Sequence, residues 1–252
     1  MSTIIEVTAN NYKDYPQAIC FINPKHEHYP LKVSWLESQF KLGLKIKLYI
    51  NPENKKVAGF IEYIPGEFAS RGVAAKDYLF IHCIWMNSNK VKKQGHGSEL
   101  VNEVINDARA QGKKGVAVIT SEDAFMAKKE LFLKNGFNVI EEHNKFQLLT
   151  LEVDGSKASA KLKYDEDKLK QYSGWHIFYS KQCPWVARSI KEIEDVISEY
   201  KLKITIHKFA SNEEAQNFGT IYSVFNLIKD GKLLADRYIS ATRFRNIVKK
   251  EI

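Results

Sequence analysis

The chain has 252 residues, 44% hydrophobic and 27% charged, a length that suits two domains and a composition that supports packed cores. No run approaches the roughly 18 apolar residues a membrane span needs, and the N-terminus lacks the basic-then-apolar pattern of a leader, so the expectation is a cytoplasmic protein with no membrane partner. The net charge of +8 is evenly spread: from Gly174 onward 13 Lys/Arg stand against 9 Asp/Glu. With no basic arm and no DNA-reading motif, no nucleic-acid partner is expected. Cys20, Cys83 and Cys183 are odd in number and far apart, so neither a disulfide framework nor a metal site is expected.

In chain order, Thr3–Val7 reads as a strand, and Tyr12–Ile19 and Pro30–Phe40 as helical or turn segments. Leu44–Ile50 alternates like a half-buried strand, and Asn51-Pro52-Glu53-Asn54 turns it into a hairpin with Val57–Ile64. Tyr78–Trp85 is continuously apolar, as a central strand covered on both faces would be. Behind Gly95-His96-Gly97, the residues Leu100, Val101, Val104, Ile105 and Ala108 form one apolar helical stripe that ends at Gly112. Val116–Thr120 reads as a strand, Phe125–Asn135 as a second helix stopped by Gly136, and Phe137–Glu142 with Lys145–Val153 as a final hairpin.

From Asp154 to Ser173 the pattern dissolves into small and charged residues, which predicts a linker over 154–173. A second βα pattern follows in strand Trp175–Tyr179, helix Trp185–Tyr200 and strand Lys203–Phe209. Val224–Ile228 and Leu233–Ile239 then form a hairpin around Asp230-Gly231. The expected domains are therefore 1–153 and 174–252, both α/β.

A glycine-rich turn between a buried strand and a helix start lets backbone amides approach an anion closely. The segment Lys92-Lys93-Gln94-Gly95-His96-Gly97 lacks the Gly-Lys-Ser/Thr of a P-loop, and Leu100 occupies the third-glycine position of a dinucleotide fingerprint. It resembles the Gln/Arg-x-x-Gly-x-Gly/Ala loop of the GNAT (GCN5-related) N-acetyltransferase superfamily, with Lys92 in place of the usual Gln or Arg. Leu131-Phe132-Leu133-Lys134-Asn135-Gly136-Phe137 is similar to that family's Leu-Tyr-x-Lys-x-Gly-Phe stretch. The resemblance spans about residues 3 to 153.

What it implies is a mixed central sheet flanked by helices and acetyl transfer from acetyl-CoA, the cosubstrate, to a primary amine of a small molecule or peptide. By the same resemblance, Ile84, Trp85 and Met86 would offer backbone groups to the pantetheine arm and acetyl carbonyl. Lys92 and the loop Gln94, Gly95, His96, Gly97 and Ser98 would hold the pyrophosphate, and Phe132 would lie near the thiol. Many family members use a tyrosine at that last position to protonate the leaving thiolate, which Phe132 cannot do.

A general base must take the amine's proton, often through water. The candidates are Glu62, His82, Ser121 and Glu122; His82 fits a satisfied core histidine as well as a catalytic one. Strand parity would turn Cys83 away from His82.

Farther along, Tyr179-Ser180-Lys181-Gln182-Cys183-Pro184-Trp185-Val186 before a helix resembles the active-site turn of thioredoxin-like proteins, with Val186 in place of the second cysteine. Such an appended segment resembles the YoaP-like extension of some bacterial GNAT proteins. A thiol at a helix N-terminus is favoured as thiolate. Two alternatives to acetyl transfer thus stay open: a monothiol redox centre at Cys183, or a non-catalytic CoA-binding sensor. The C-terminal module itself reads as a device for substrate shaping, docking or homodimer contacts.

Overall fold

A computed structural model describes residues 3–16, 20–87, 95–123 and 126–252. Its contacts divide the chain into two units. The first comprises Met1–Lys25, Leu36–Ala69 and Ala74–Leu162; the second comprises His26–Trp35, Ser70–Val73 and Lys163–Ile252.

The first unit is built on seven strands: β1 (Thr3–Val7), β2 (Lys45–Ile50), β3 (Val57–Pro65), β5 (Tyr78–Met86), β6 (Gly115–Ser121), β7 (Asn138–His143) and β8 (Phe146–Glu152). Their order across the sheet is β1-β2-β3-β5-β6-β8-β7. Every neighbouring pair is antiparallel except β5 and β6, which need a crossover and receive it from helix α2 (His96–Ala110). The two hairpins close as the turn chemistry requires. Asn51 donates its amide to the Lys56 carbonyl at 2.9 Å, and Lys55 and Asn144 take positive φ values of 57° and 51°. Helix α1 (Tyr29–Phe40) divides between the units after Trp35, and the short strands β4 (Val73–Ala74) and β9 (Lys161–Leu162) lie where the chain passes from one unit to the other.

The stripe read from the sequence is the buried face of α2. Leu100, Val101, Val104, Ile105 and Ala108 pack on Ile61, Tyr63, Leu79, Ile81, Val116 and Val118, each large side chain contributing about 1.5–3 kcal/mol by leaving water. Lys47 departs from the alternation expected for β2. It is buried, and its ammonium lies 2.8 Å from Glu6, 3.4 Å from Asp107 and 3.6 Å from Glu103. Lys45 joins this group at 3.3 Å from Asp107, and the Tyr63 hydroxyl donates to the same carboxylate. An ionic network thus takes the place of an outward lysine and ties α2 to β1, β2 and β3.

Where a helix was expected over Phe125–Asn135, α3 covers only Lys129–Leu133. Lys128 is still extended (φ −76°, ψ 149°) and provides no side-chain cap, so helix begins only after it. The expected linker is partly ordered too: Glu166–Gln171 form a 3-10 turn whose Leu169 is buried with Phe178, Phe209, Ala215, Phe218 and Ile228.

The second unit contains β10 (Trp175–Tyr179), α4 (Pro184–Glu199), β11 (Ile204–Lys208), α5 (Asn212–Asn217), β12 (Phe225–Lys229), β13 (Lys232–Ala235) and α6 (Ala241–Glu251). Its sheet order is β11-β10-β12-β13; β10 and β11 are parallel and the other pairs antiparallel. Val186, Ile190, Ile193 and Val196 of α4 and Phe244 and Val248 of α6 fill one face against Ile177, Phe225 and Leu227. Helices α5 and α6 were not anticipated, although both are capped by serines, Ser211 and Ser240.

Candidate acyl-transfer site

The site forms where β5 and β6 part. Their parallel register runs only from Tyr78↔Gly115 to Ile81↔Val118, although β5 continues to Met86 and β6 to Ser121. Each strand keeps its outer partner beyond that point: β5 pairs with β3 out to Met86, and β6 with β8 out to Ser121. The cause of the parting is a bulge in β5. Glu62 pairs with Cys83 and Tyr63 with Ile81, so His82 is an extra residue without a single partner on β3. A bulge bends its strand and increases local twist, and this one follows the last β5–β6 pair directly. Main-chain groups on the β6 side of Ile84, Trp85 and Met86 are thereby released from the sheet ladder and become available to a ligand.

The bulge also overturns the parity argument about Cys83. Ile81 packs on the α2-side core, and so do Ile84 and Met86 after it. The alternation therefore shifts by one across His82 and Cys83, and the two residues share one step of the pleat. Trp85 is largely exposed.

Helix α2 begins beside the released edge. Gly95 is its N-cap, with φ +89°, a left-handed conformation that a Cβ would strain. Ser98 and Glu99 donate their amides to the Gly95 carbonyl at 2.8 and 3.2 Å. The first-turn amides ahead of them point out of the helix end, where the dipole favours negative charge. His96 is clamped by its neighbours. Its Nδ1 lies 2.8 Å from the Glu99 carboxylate, its Nε2 lies 3.3 Å from the Tyr49 hydroxyl, and its ring stacks on Tyr49 at 4.3 Å. Gly97 sits against α3: a Cβ there would stand 3.4 Å from Leu131 Cδ1, ordinary contact.

The end of α3 supports this first turn. Asn135 donates to the Ser98 hydroxyl at 3.0 Å and to the Leu131 carbonyl at 2.6 Å. Phe132 has no exposed surface and packs edge-on against Phe137 at 5.5 Å, a core position. Lys92 and Gln94 lie outside the described residues.

Of the proposed bases, the structure brings two together. Glu62 and His82 are both buried, with Oε1 and Nδ1 3.7 Å apart. They stand on the sheet face opposite α2, because Ile61 and Tyr63 flanking Glu62 point into the α2 core. Ser121 is buried at the end of β6 and accepts the Asp123 amide at 3.2 Å. Glu122 is exposed and ion-paired with Lys128 at 3.3 Å, away from that pair's buried setting. Tyr49 and Asn135 were missed as positioning residues. Asn135 lay inside the quoted motif; Tyr49 gave no signal beyond being aromatic in a strand.

Comparison with known proteins agrees with this geometry. Residues 13–137 match the model of the Acetyltransferase (GNAT) family. The chain carries a GNAT-family acetyltransferase domain. Over 250 residues, 97% of each chain, it is 28% identical to the uncharacterized N-acetyltransferase YoaP of Bacillus subtilis (strain 168). Solved structures that share similarity include an IAA acetyltransferase from Bacillus cereus (13% identity, TM-score 0.42, covering 61% of this chain and 100% of that one). Arabidopsis thaliana NAA60 in complex with acetyl-CoA is another (12% identity, TM-score 0.43, covering 62% and 100%). The family match and the YoaP relative support an acyltransferase enzyme. Among the described residues no group of His, Cys, Asp and Glu could hold a metal ion, and no helix is long and apolar enough to cross a membrane.

Cys183, the alternative centre, lies in the second unit as the N-cap residue of α4. Burial pushes its thiol pKa up, opposed by the amides of Trp185 and Val186 and by the charges of Lys32 and Arg71.

Proposed function

We propose that the GNAT domain transfers the acetyl group of acetyl-CoA to a primary amine of a small molecule or peptide. The observation that carries this reading is the parting of β5 from β6 beside the first turn of α2. Freed main-chain groups of Ile84 to Met86 suit the amide-bearing pantetheine arm and can donate to the developing oxyanion. The turn at Gly95, His96 and Gly97 suits the pyrophosphate, with Lys92 and Gln94 adding to it. On the opposite sheet face His82, backed by Glu62, relays the amine's proton through water. Phe132 contributes packing to the helix end that supports Ser98. The second unit, with its βαβαββα order, is read as a thioredoxin-like module.

Isothermal titration with acetyl-CoA tests the site. Gly97→Glu is a suitable variant because its Cβ fits against Leu131, so the helix persists while a carboxylate faces the phosphates. Saturable binding to the wild type, lost in Gly97→Glu, is the expected result. Binding without transfer to any member of an amine panel would favour the sensor reading. A folded wild type that binds no acetyl-CoA would sink the proposal.

A further inference from the structure

The side chain of Trp85 has no part in the chemistry described so far, which uses only its main chain on the released edge. It is 46% exposed, in a strand that is otherwise mostly buried. Ile84 before it and Met86 after it both pack into the α2 core, so the indole stands on the opposite face of the sheet. The β3 register agrees. Trp85 pairs with Phe60 and Cys83 pairs with Glu62, while Ile61 between them turns to the α2 core with its partner Ile84. The indole therefore shares a face with the Glu62–His82 pair. It lies three residues past His82, about 10 Å along an extended strand.

The wall beside the indole is aromatic. Phe60, its cross-strand neighbour, is buried, and Phe21 lies against Phe60 with ring centroids 5.9 Å apart. A single exposed hydrophobic residue is ordinary on a protein surface. What distinguishes Trp85 is its place, on the released edge and on the face of the pair that takes the amine's proton.

Charge around the parting is already matched. Glu62 faces His82 at 3.7 Å. Beyond the β6 end, Glu122 and Asp123 are ion-paired with Lys128 at 3.3 Å and Lys145 at 2.6 Å. An incoming amine thus finds one carboxylate–imidazole pair for its nitrogen and an aromatic plane for its carbon skeleton. A second ammonium would meet carboxylates that lysines have neutralised.

We propose that Trp85 sets acceptor specificity, its indole stacking on the ring of an aromatic primary monoamine whose nitrogen reaches the Glu62–His82 pair. This narrows, and rests on, the acetyl-transfer reading: the acceptor is a small monoamine with its ring a few carbons from nitrogen. The step itself keeps its balance. The neutral nitrogen attacks the thioester carbonyl, a C–N bond forms and the C–S bond breaks. The amine's proton passes through water to His82, and the CoA thiolate leaves and is protonated by solvent.

The test titrates 2-phenylethylamine and 1,4-diaminobutane into the full chain with CoA in excess, by isothermal titration, then follows acetylation of both from acetyl-CoA. Phenylethylamine should bind about tenfold more tightly and show a correspondingly lower KM. Trp85→Ala should erase that ratio, and Trp85→Phe, which keeps an aromatic plane, should restore most of it. The readout is the ratio between two amines, which a change in acetyl-CoA affinity or in the amount of folded protein leaves unmoved. Diaminobutane acetylated as efficiently as phenylethylamine, or a ratio preserved in Trp85→Ala, would overturn the inference and leave acetyl transfer standing. Phenylethylamine bound through Trp85 with neither amine acetylated would sink acetyl transfer and keep the ring site. Binding of neither amine would overturn the ring site.

Discussion

Replacing Asp107 with Asn should destabilise the first unit without touching the acyl-transfer site. Asp107 receives the Tyr63 hydroxyl and lies 3.3 Å from Lys45 and 3.4 Å from Lys47, with its side chain 18% exposed. Hydrogen bonds to charged groups are worth about 1.5–3 kcal/mol, and leaving a buried charge without its partner costs more. Asn keeps an acceptor for Tyr63, and Lys47 keeps Glu6 at 2.8 Å, so the expected loss stays near the lower bound, about 1.5–2 kcal/mol. For a unit of this size that corresponds to roughly 3–8 °C in Tm. The first turn of α2 is eleven residues away, about 16 Å along the helix axis, so acetyl-CoA affinity should stay within about twofold of wild type. Urea denaturation and isothermal titration on the same samples measure both quantities. An unchanged urea midpoint would show that solvent already screens the network and would refute the reasoning.

Acid should find the same network. Burial alone would raise the carboxyl pKa values of Glu6 and Asp107, but Lys47 and Lys45, with Tyr63 at Asp107, outweigh it and hold both below their ordinary values. Their contribution is therefore fully present above the ordinary carboxylate values near 4 and is lost as pH falls through the lowered folded values, which urea midpoints from pH 6 to pH 3 would trace. Gly95→Ala forces a Cβ into a left-handed turn at about 1–2 kcal/mol, and should weaken acetyl-CoA binding as well as stability; an unaltered Kd would place the phosphates elsewhere. Asn135→Ala should raise the KM for acetyl-CoA more than it lowers kcat, because Asn135 holds Ser98 and not the reacting atoms. His82→Gln should lower kcat about a hundredfold while leaving acetyl-CoA affinity intact, and steady-state kinetics that show no loss of kcat would remove His82 from the chemistry.

The main features of the first unit were legible because their signals are local. The α2 stripe, the continuous apolar run of β5 and the turns at Asn51 and Asn144 are written in neighbouring residues. So was the glycine turn, which the Gly-x-Gly sequence marks, although the left-handed φ of Gly95 is seen only in the fold. The bulge at His82 was not legible: Tyr78 to Met86 reads as one unbroken strand, and the extra residue emerges only when β3 sets the register on its other side. This is why parity misplaced Cys83. Lys47 misled for a related reason, since an alternation that sends a lysine outward knows nothing of three carboxylates gathered from β1 and α2. At α5 the information was present and unused: Ser211 accepts the Glu214 amide at 3.1 Å, and Glu214 accepts the Ala210 amide in return, a Ser-x-x-Glu capping signature.

The seat of Gly72 shows where such reading stops in principle. Viewed along the sequence, Arg71 and Gly72 lie about ninety residues ahead of Lys163 and about a hundred and fifty ahead of Thr220, with nothing between them to announce the contact. What seats Arg71 over the Tyr222 ring is Gly72, which lets the chain slip between the carbonyls of Lys163 and Thr220. A charge whose position depends on carbonyls far along the chain leaves no pattern at its own address. The family model covers residues 13–137 and so takes in both Lys32 and Arg71, while contacts assign them to the second unit. The family-matched stretch thus contains residues that cluster with the second unit. Gly72→Ala should therefore lower the urea midpoint of the second unit, because its Cβ would meet the carbonyls of Lys163 and Thr220 at 2.3 and 2.5 Å.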